Sequence, residues 1–210
     1  MLVMAISGST PMDDSKFPKI NVNDYQTDGK HKNPSKYEWI EDTWITNYWD
    51  CCKPSCSWPD KGNVDKPIKA CLPDGSAADK NEGSVCENGL AGSCESHQHF
   101  VAADGLSYGF AAAAAGPSKY LQGDKNCGQC FELVFTDKIH DGTWGGAHRN
   151  AVGKSHIVQV TNIGYDVQGD HSFDLQVPGG GMGKFTKGCA TQYQGFSPLA
   201  FDGQGDCGKG

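Results

Sequence analysis

The chain has 210 residues, with 25 acidic and 18 basic side chains, a net charge of -7 and a sequence pI near 5.4. This length suits one domain with its own hydrophobic core, because domains commonly contain about 100–200 residues. The acidic balance argues against nucleic acid as a partner, and the longest apolar run, GFAAAAAG, is far shorter than the ~20 residues that cross a bilayer.

The first 42 residues are polar, lack cysteine and show no sustained hydrophobic periodicity. They are predicted to be an N-terminal extension or linker (residues 1–42) that precedes the compact domain (residues 43–210). The opening MLVMAISGS contains a short apolar run without a basic segment before it, so it matches a signal peptide only in part. An artificial leader is the alternative interpretation.

Ten cysteines are spread along most of the chain, and their even number indicates a disulfide framework formed in an oxidising compartment. A secreted protein is therefore expected. Zinc is the competing interpretation, because Cys127 and Cys130 form a CxxC and Cys52 and Cys56 are four apart. It is the weaker one, since no second compact CxxC is present and the histidines do not cluster with these cysteines. We expect no metal and no cofactor.

The predicted elements begin with residues 52–99, whose Gly, Pro, Asp and Ser residues and five cysteines indicate disulfide-stapled loops. SYGFAAAAAGP, at residues 107–117, combines strong helix formers with a Gly-Pro stop and predicts a short helix. Three strands are predicted after it, separated by glycine-rich turns. They are CFELVFT (130–136), SHIVQVTNIG (155–164) and HSFDLQVP (171–178).

Two aspartates, Asp50 and Asp174, lie in predicted extended segments that also contain aromatic residues. Alternation in HSFDLQVP places Asp174 on the face opposite the apolar one. If WITNYWDC is extended, Asp50 shares a face with Tyr48 and Thr46. Aromatic rings stack on the apolar faces of sugars, and a carboxylate beside such a ring is what a glycosidase needs.

Two long segments resemble glycoside hydrolase family 45, a family of secreted endo-β-1,4-glucanases. They are YWDCCKPSCSWPDKG (residues 48–62) and SFDLQVPGGGMGKFTKGCATQYQG (residues 172–195). YGFAAAAAG and CGQCFELVFT also match that family in order and spacing, so the resemblance covers roughly residues 43–195. It implies a mainly β fold: a six-stranded double-psi β-barrel with long disulfide-tied loops, a few short helices and an open groove across one face.

Carried over residue by residue, the resemblance implies that Asp50 is the general base and Asp174 the general acid. An assisting aspartate on the loop before the acid matches Asp166, with Asp170 as the rival because this loop is one residue longer than in the family. The family commonly has His two residues before the acid, where this chain has Ser172.

Four further residues are implied to lie at the substrate: Thr46, Tyr48, Lys53 and Trp58. Tyr48 matches a tyrosine at the cleavage site, and Trp58 a sugar-stacking tryptophan. The resemblance also implies the disulfides Cys51–Cys189, Cys52–Cys86, Cys56–Cys127 and Cys71–Cys94, which leaves Cys130 with Cys207. The first two pairs would hold the loop that carries Asp50.

The implied activity is hydrolysis of internal β-1,4-glucosidic bonds of cellulose and related β-glucans with inversion, by a monomer without a membrane or nucleic-acid partner. Such chemistry needs the pKa of the acid raised and the base kept ionised by hydrogen bonds and solvent. The alternative is a non-hydrolytic, expansin-like wall-loosening or polysaccharide-binding protein. Expansins share the barrel and an FD acid but generally lack the YWDCC base, so the presence of both acids favours hydrolysis.

Overall fold

The computed structural model describes residues 2–5, 32, 39–41, 43–116, 118, 121–140, 144–145, 150–167, 171–177 and 186–193. Within these ranges the backbone is mainly β, which confirms the predicted class. The strands are β1 (Leu2–Ala5), β2 (Ile45–Tyr48), β3 (Phe100–Ala103), β4 (Leu106–Ala114), β5 (Cys130–Val134), β6 (Ile139–His140), β7 (Trp144–Gly145), β8 (Ser155–Gly164) and β9 (Phe173–Gln176). The helical segments are 3₁₀ turns at Ser55–Ser57, Val85–Glu87 and Gly123–Asn126 and the four-residue helix α1 (Cys189–Gln192).

Seven of the described strands form one sheet. A continuous path of six runs β1-β5-β8-β4-β9-β2, and β3 is attached to β4. Strands β4 and β8 are parallel, as are β2 and β9, while β4 and β9 are antiparallel. Parallel partners so far apart in sequence require crossover connections, and the interleaved pairs fit the double-psi β-barrel that the resemblance implied.

The predicted helix at residues 107–117 is wrong, because Leu106–Ala114 is the strand β4. This strand is central, with β8 hydrogen-bonded along one edge and β9 along the other. Its Ala111–Ala114 run is at most 2% exposed. The helix preference of alanine is worth at most ~0.7 kcal/mol per residue over other ordinary residues, so pairing and burial outweigh it.

The three predicted strands are confirmed, and β8 coincides with the predicted residues 155–164. The sequence analysis missed β3, which forms an antiparallel hairpin with β4. Asp104 and Gly105 join the two strands, and Gly105 adopts a φ of 73°. An Asp-Gly pair between apolar runs is a hairpin signal that could have identified this element.

The hydrophobic core lies against β4, β5, β8 and β9. Phe131 and Phe173 meet in it with ring centroids 5.0 Å apart, and Val158 and Val160 pack beside them fully buried. The core therefore fixes the backbone of β9, the strand that carries Asp174.

Outside the sheet, residues 51–97 consist of loops, two 3₁₀ turns and isolated bridges, as predicted. Four disulfides tie these loops together: Cys51–Cys189, Cys52–Cys86, Cys56–Cys127 and Cys71–Cys94. They are the four pairs that the resemblance implied. Cys207 lies outside the described residues, so the pairing with Cys130 stays a prediction.

The disulfide from Cys127 to Cys56 removes the first cysteine of the CxxC from any zinc site. Among the described residues, no group of three or more His, Cys, Asp or Glu side chains is placed to hold a metal ion. In the same part of the chain, every helix is too short and too polar to cross a membrane.

Parts of residues 1–42 contact the domain. Strand β1 pairs antiparallel with β5, Trp39 packs against Leu106 and Ile157, and Glu41 forms an ion pair with Lys138 at 2.6 Å. The division at residue 42 stays a prediction.

Candidate active site

The parallel pair β2–β9 brings the two predicted catalytic acids together. Thr46 in β2 lies opposite Asp174 in β9, and the Val177 N–H donates to the Tyr48 carbonyl at 2.8 Å. Asp50 follows β2 by two residues, beyond its C-terminal end. Repulsion from Asp174 contributes to the raised pKa of Asp50, so the two carboxyls interact electrostatically although 124 residues separate them in the sequence.

The backbone around Asp50 is anchored on both sides. Cys51 and Cys52 each form a disulfide, and the Cys52 N–H donates to Asp50 Oδ1 at 3.1 Å. Gly92 lies against this loop so closely that a Cβ there would meet the Cys51 carbonyl oxygen at 2.6 Å. A carboxyl on a backbone held in this way keeps its position when substrate binds.

Burial raises the pKa of Asp50 to about 7, with repulsion from Asp166 and Asp174 adding to the effect. The hydrogen bond from Cys52 opposes this rise, because a donor stabilises the ionised carboxylate. The buried setting outweighs that single donor, so Asp50 holds a proton in neutral solution far more often than an ordinary aspartate does.

Burial also raises the pKa of Asp174, to about 6, and repulsion from Asp166 adds to it. The side chain of Thr46 forms the hydrogen bond that opposes this rise. Asp174 Oδ1 is buried and has no hydrogen-bond partner among the described residues. This oxygen therefore has no donor among those residues that would stabilise the ionised form of Asp174.

The strand face predicted to be polar is also buried, which explains the setting of Asp174. Its neighbours Ser172 and Gln176 on that face are at most 1% exposed, as buried as Phe173 on the apolar face. Alternation separates two faces of a strand, but it does not show that a polar face packs against other polar side chains. Ser172 occupies the position where the family commonly has His, and here Thr46 supplies the hydrogen bond to Asp174.

The expectation that the base stays ionised is not met in the unliganded site. Both pKa values are raised, and that of Asp50 is the higher, at about 7 against about 6 for Asp174. The reason is that the pinned loop partly buries Asp50, while the part of the chain that the structure describes gives it one hydrogen-bond donor, the Cys52 N–H. Two mutually repelling carboxyls nevertheless favour a singly protonated pair, which is the state that acid–base catalysis needs.

Asp166 lies on a turn that directly follows β8. The turn folds back tightly, because a Cβ at Gly164 would meet Val167 Cγ2 at 2.3 Å, and Val167 packs against the core. Asp166 itself is exposed, yet its charge raises the pKa of both Asp50 and Asp174. Asp170, the rival for the assisting role, lies outside the described residues.

Tyr48 is half-buried and its hydroxyl hydrogen-bonds with Asn162 and Thr161 of β8. A β-bulge lies here, since Ala111 pairs with Val160 while Ala112 pairs with Asn162, which leaves Thr161 as the extra residue. Bulges redirect side chains and are frequent next to active sites. Burial, followed by repulsion from Asp50, raises the pKa of Tyr48 well above its usual value, so the hydroxyl stays protonated.

Behind Tyr48 runs a buried polar network that the sequence analysis missed. Thr161 Oγ1 donates to Gln176 Oε1 at 3.1 Å, and Gln176 Nε2 donates to Ser93 Oγ at 2.7 Å. The signal for it was the adjacent polar pair Thr161–Asn162, which breaks the pattern of a buried strand. This network fixes Tyr48 and the underside of β9 together.

Trp58 is half-buried, with the ammonium of Lys53 placed 3.6 Å from the centroid of its ring. Lys53 is only 5% exposed, and its Nζ donates to the carbonyl oxygens of Lys80 at 2.7 Å and Glu82 at 2.9 Å. Of the four residues implied to lie at the substrate, Thr46 and Tyr48 are thus beside the acids, whereas Lys53 is buried under Trp58.

This arrangement combines two half-buried carboxyls and an aromatic hydroxyl, which suits acid–base cleavage of a polysaccharide. A family model described as glycosyl hydrolase family 45 matches residues 43–207. An endoglucanase of Cryptopygus antarcticus is 41% identical over 149 residues, which cover 70% of this chain and 59% of that protein. Endoglucanase B of Cellvibrio japonicus is 37% identical over 154 residues, or 71% of this chain and 28% of that protein.

Among solved structures, the crystal structure of the cellulase from the Antarctic springtail Cryptopygus antarcticus aligns with a TM-score of 0.62 and 38% identity. The alignment covers 78% of this chain and 70% of that one. The chain spans 59% or less of the length of the two endoglucanases described above. Because the family model covers most of the sequence, including both acids and all the disulfides described, the chain belongs to glycosyl hydrolase family 45.

Proposed function

We propose that the protein is an endo-β-1,4-glucanase that hydrolyses internal bonds of cellulose and related β-glucans with inversion of the anomeric carbon. The observation that carries the proposal is the pair Asp50 and Asp174, two half-buried carboxyls with raised pKa values that interact across β2 and β9. The names of the relatives, endoglucanases and a cellulase, support the same activity. They do not favour the expansin-like alternative.

In this mechanism Asp174 donates its proton to the glycosidic oxygen as the bond to the anomeric carbon breaks. Asp50 takes a proton from the water that attacks that carbon from the opposite face. An inverting pair needs ~6.5–9.5 Å between its carboxyls to admit the water. The net result is one hydrolysed bond, with the proton transferred from Asp174 to Asp50 and then returned through solvent.

The unliganded site holds its shared proton on the wrong carboxyl for this reaction. Because the pKa of Asp50, at about 7, lies above that of Asp174, at about 6, the shared proton favours Asp50. Substrate reverses this preference, because the glycosidic oxygen accepts a hydrogen bond only from a protonated Asp174. The reversal costs on the order of 1 kcal/mol, which binding of the remaining sugar units supplies.

Asp166 assists rather than exchanges the essential proton. Its charge raises the pKa of both acids, and its exposed position lets substrate contact change its distance from them. Tyr48 and Trp58 serve as sugar contacts, because the C–H faces of glucose pack favourably on aromatic rings. Lys53, which lies under Trp58, reaches substrate only indirectly.

We also propose that the protein acts outside the cell. Four disulfides support this, since such bonds form and persist in oxidising compartments. A monomer suffices for the reaction, because one chain supplies both acids and both aromatic contacts.

The test is hydrolysis of carboxymethyl cellulose, followed by viscosity and by the appearance of reducing ends. An endo-acting enzyme lowers the viscosity early, when few reducing ends have formed. Asp50→Asn and Asp174→Asn should both be inactive, while Asp65→Asn, a change at an exposed acid, should leave the rate unchanged. Binding of the polymer without new reducing ends would support the expansin-like alternative and contradict the proposal.

A further inference from the structure

Buried Lys53 and half-buried Trp58 form a cation–π pair. The Lys53 ammonium lies 3.6 Å from the centroid of the Trp58 ring, well inside the ~6 Å limit for this interaction. The ammonium therefore covers one face of the indole, and only the opposite face remains for a sugar.

The lysine is held in place by a different part of the chain. The Lys53 ammonium donates to the carbonyl oxygens of Lys80 and Glu82. The Lys53 backbone N–H donates to Ser84 Oγ at 3.1 Å. The segment from 80 to 84 is in turn tied to the catalytic loop by the disulfide Cys52–Cys86. The position of the ammonium is thus set independently of Trp58.

Desolvation makes this contact stronger than an exposed one. Lys53 is 5% exposed, so solvent screens its charge little. Burial lowers the pKa of its ammonium, and the negative charges of Asp79 and Glu82 oppose that shift. A buried ammonium fixed by two carbonyl groups attracts the π face and opposes rotation of the indole about its side-chain torsions.

We propose that Lys53 is a positioning residue that fixes the orientation of the Trp58 ring as a platform for a glucosyl unit, and that it acts on β-1,4-glucan binding only through that ring. This inference rests on the proposed function. It assigns to Lys53 a role beneath the platform in place of a direct contact with substrate.

The experiment is a double-mutant cycle on substrate binding. Lys53→Met removes the charge at similar length, Lys53→Arg retains it, and Trp58→Ala removes the platform. Lys61→Met is the matched control, because Lys61 is a nearby half-buried lysine that pairs with Asp124 and not with the indole. For each variant kcat and KM on cello-oligosaccharides are measured, together with the melting temperature and the calorimetric Kd for the same oligosaccharides.

Lys53→Met should raise KM and Kd by about 2–30-fold, the range that a partly or fully desolvated cation–π contact provides, and leave kcat within about twofold. Lys53→Arg should restore most of the affinity. In the Trp58→Ala background, Lys53→Met should have no further effect on Kd. If Lys53→Met does not fold, Lys53→Gln takes its place in the cycle, because it also removes the charge but keeps donors toward the two carbonyl groups.

An unchanged Kd in the folded neutral variant, or an effect of equal size in the presence and absence of Trp58, would overturn the proposal. A merely structural lysine would lower the melting temperature without coupling to Trp58 in binding. Failure of the proposed function has a different signature: the wild-type protein would bind oligosaccharides without cleaving them, and the calorimetric cycle would still decide the role of Lys53.

Discussion

Thr46 lies directly opposite Asp174 in the parallel pair β2–β9, and its side chain hydrogen-bonds the carboxyl of that aspartate. This contact opposes the burial that raises the pKa of Asp174, because it stabilises the ionised form. Thr46 therefore helps to leave the shared proton on Asp50 in the empty site. In the proposed mechanism its role is to tune the pKa of the acid.

Replacing Thr46 with Val keeps the shape of the side chain and removes the hydroxyl. The pKa of Asp174, the lower of the two, should rise, so the acidic limb of the kcat/KM profile should move to higher pH. Measuring kcat/KM against pH for the wild type and Thr46→Val checks this. An acidic limb that stays in place, or moves to lower pH, would show that Thr46 does not control the pKa of Asp174.

The wild-type profile of kcat/KM should be a narrow bell. Activity requires one carboxylate and one carboxylic acid, so the limbs should follow the two raised pKa values, about 6 and about 7, with the maximum between them. Initial rates on a soluble oligosaccharide across pH 4 to 9 test this. A plateau that continues above pH 8 would contradict the shared-proton account.

The roles of the two acids can be separated by the leaving group. Asp174→Ala should lose about 10²–10⁴ in rate on natural glucan, but far less on an aryl cello-oligosaccharide whose phenolate leaves without protonation. Asp50→Ala should be impaired on both substrates, because the attacking water still lacks a base, and azide should restore part of its rate. If Asp50→Ala instead kept its rate on the aryl substrate and Asp174→Ala did not, Asp50 would be the acid and Asp174 the base.

Both catalytic acids should lower stability in alkaline solution. A carboxyl whose folded pKa is raised binds its proton more tightly in the folded state, so folding free energy is lost as pH rises from its unfolded value near 4 through the folded value. For Asp50 the folded value is about 7. At pH 8, the free energy of unfolding of Asp50→Asn should therefore exceed that of the wild type by on the order of 1–4 kcal/mol.

Chemical denaturation at pH 8 and at pH 4 measures this difference. The gain should disappear at pH 4, where Asp50 is protonated in the folded protein. Asp65→Asn, at an exposed position, provides the matched control and should show no gain at either pH. Equal free energies of unfolding for Asp50→Asn and the wild type at pH 8 would indicate that burial does not raise the pKa of Asp50.

The sequence predicted those features that depend on local pattern or on a long motif. The alternation of SHIVQVTNIG located β8, and the YWDCC and SFDLQVP segments located both acids. The alanine-rich β4 was assigned wrongly because intrinsic propensity contains no information about neighbours on both edges. The position of Lys53 beneath Trp58 and the burial of Asp50 depend on long-range contacts, which no local pattern encodes.

The measurement that tests the central claim most directly is proton NMR of the first products released from a cello-oligosaccharide. Single displacement by water, with Asp174 as acid and Asp50 as base, predicts that the new reducing end appears first as the α-anomer and then mutarotates. Spectra are taken within the first minutes, before mutarotation equalises the signals. A β-anomer at the earliest times would contradict the inverting two-carboxylate mechanism.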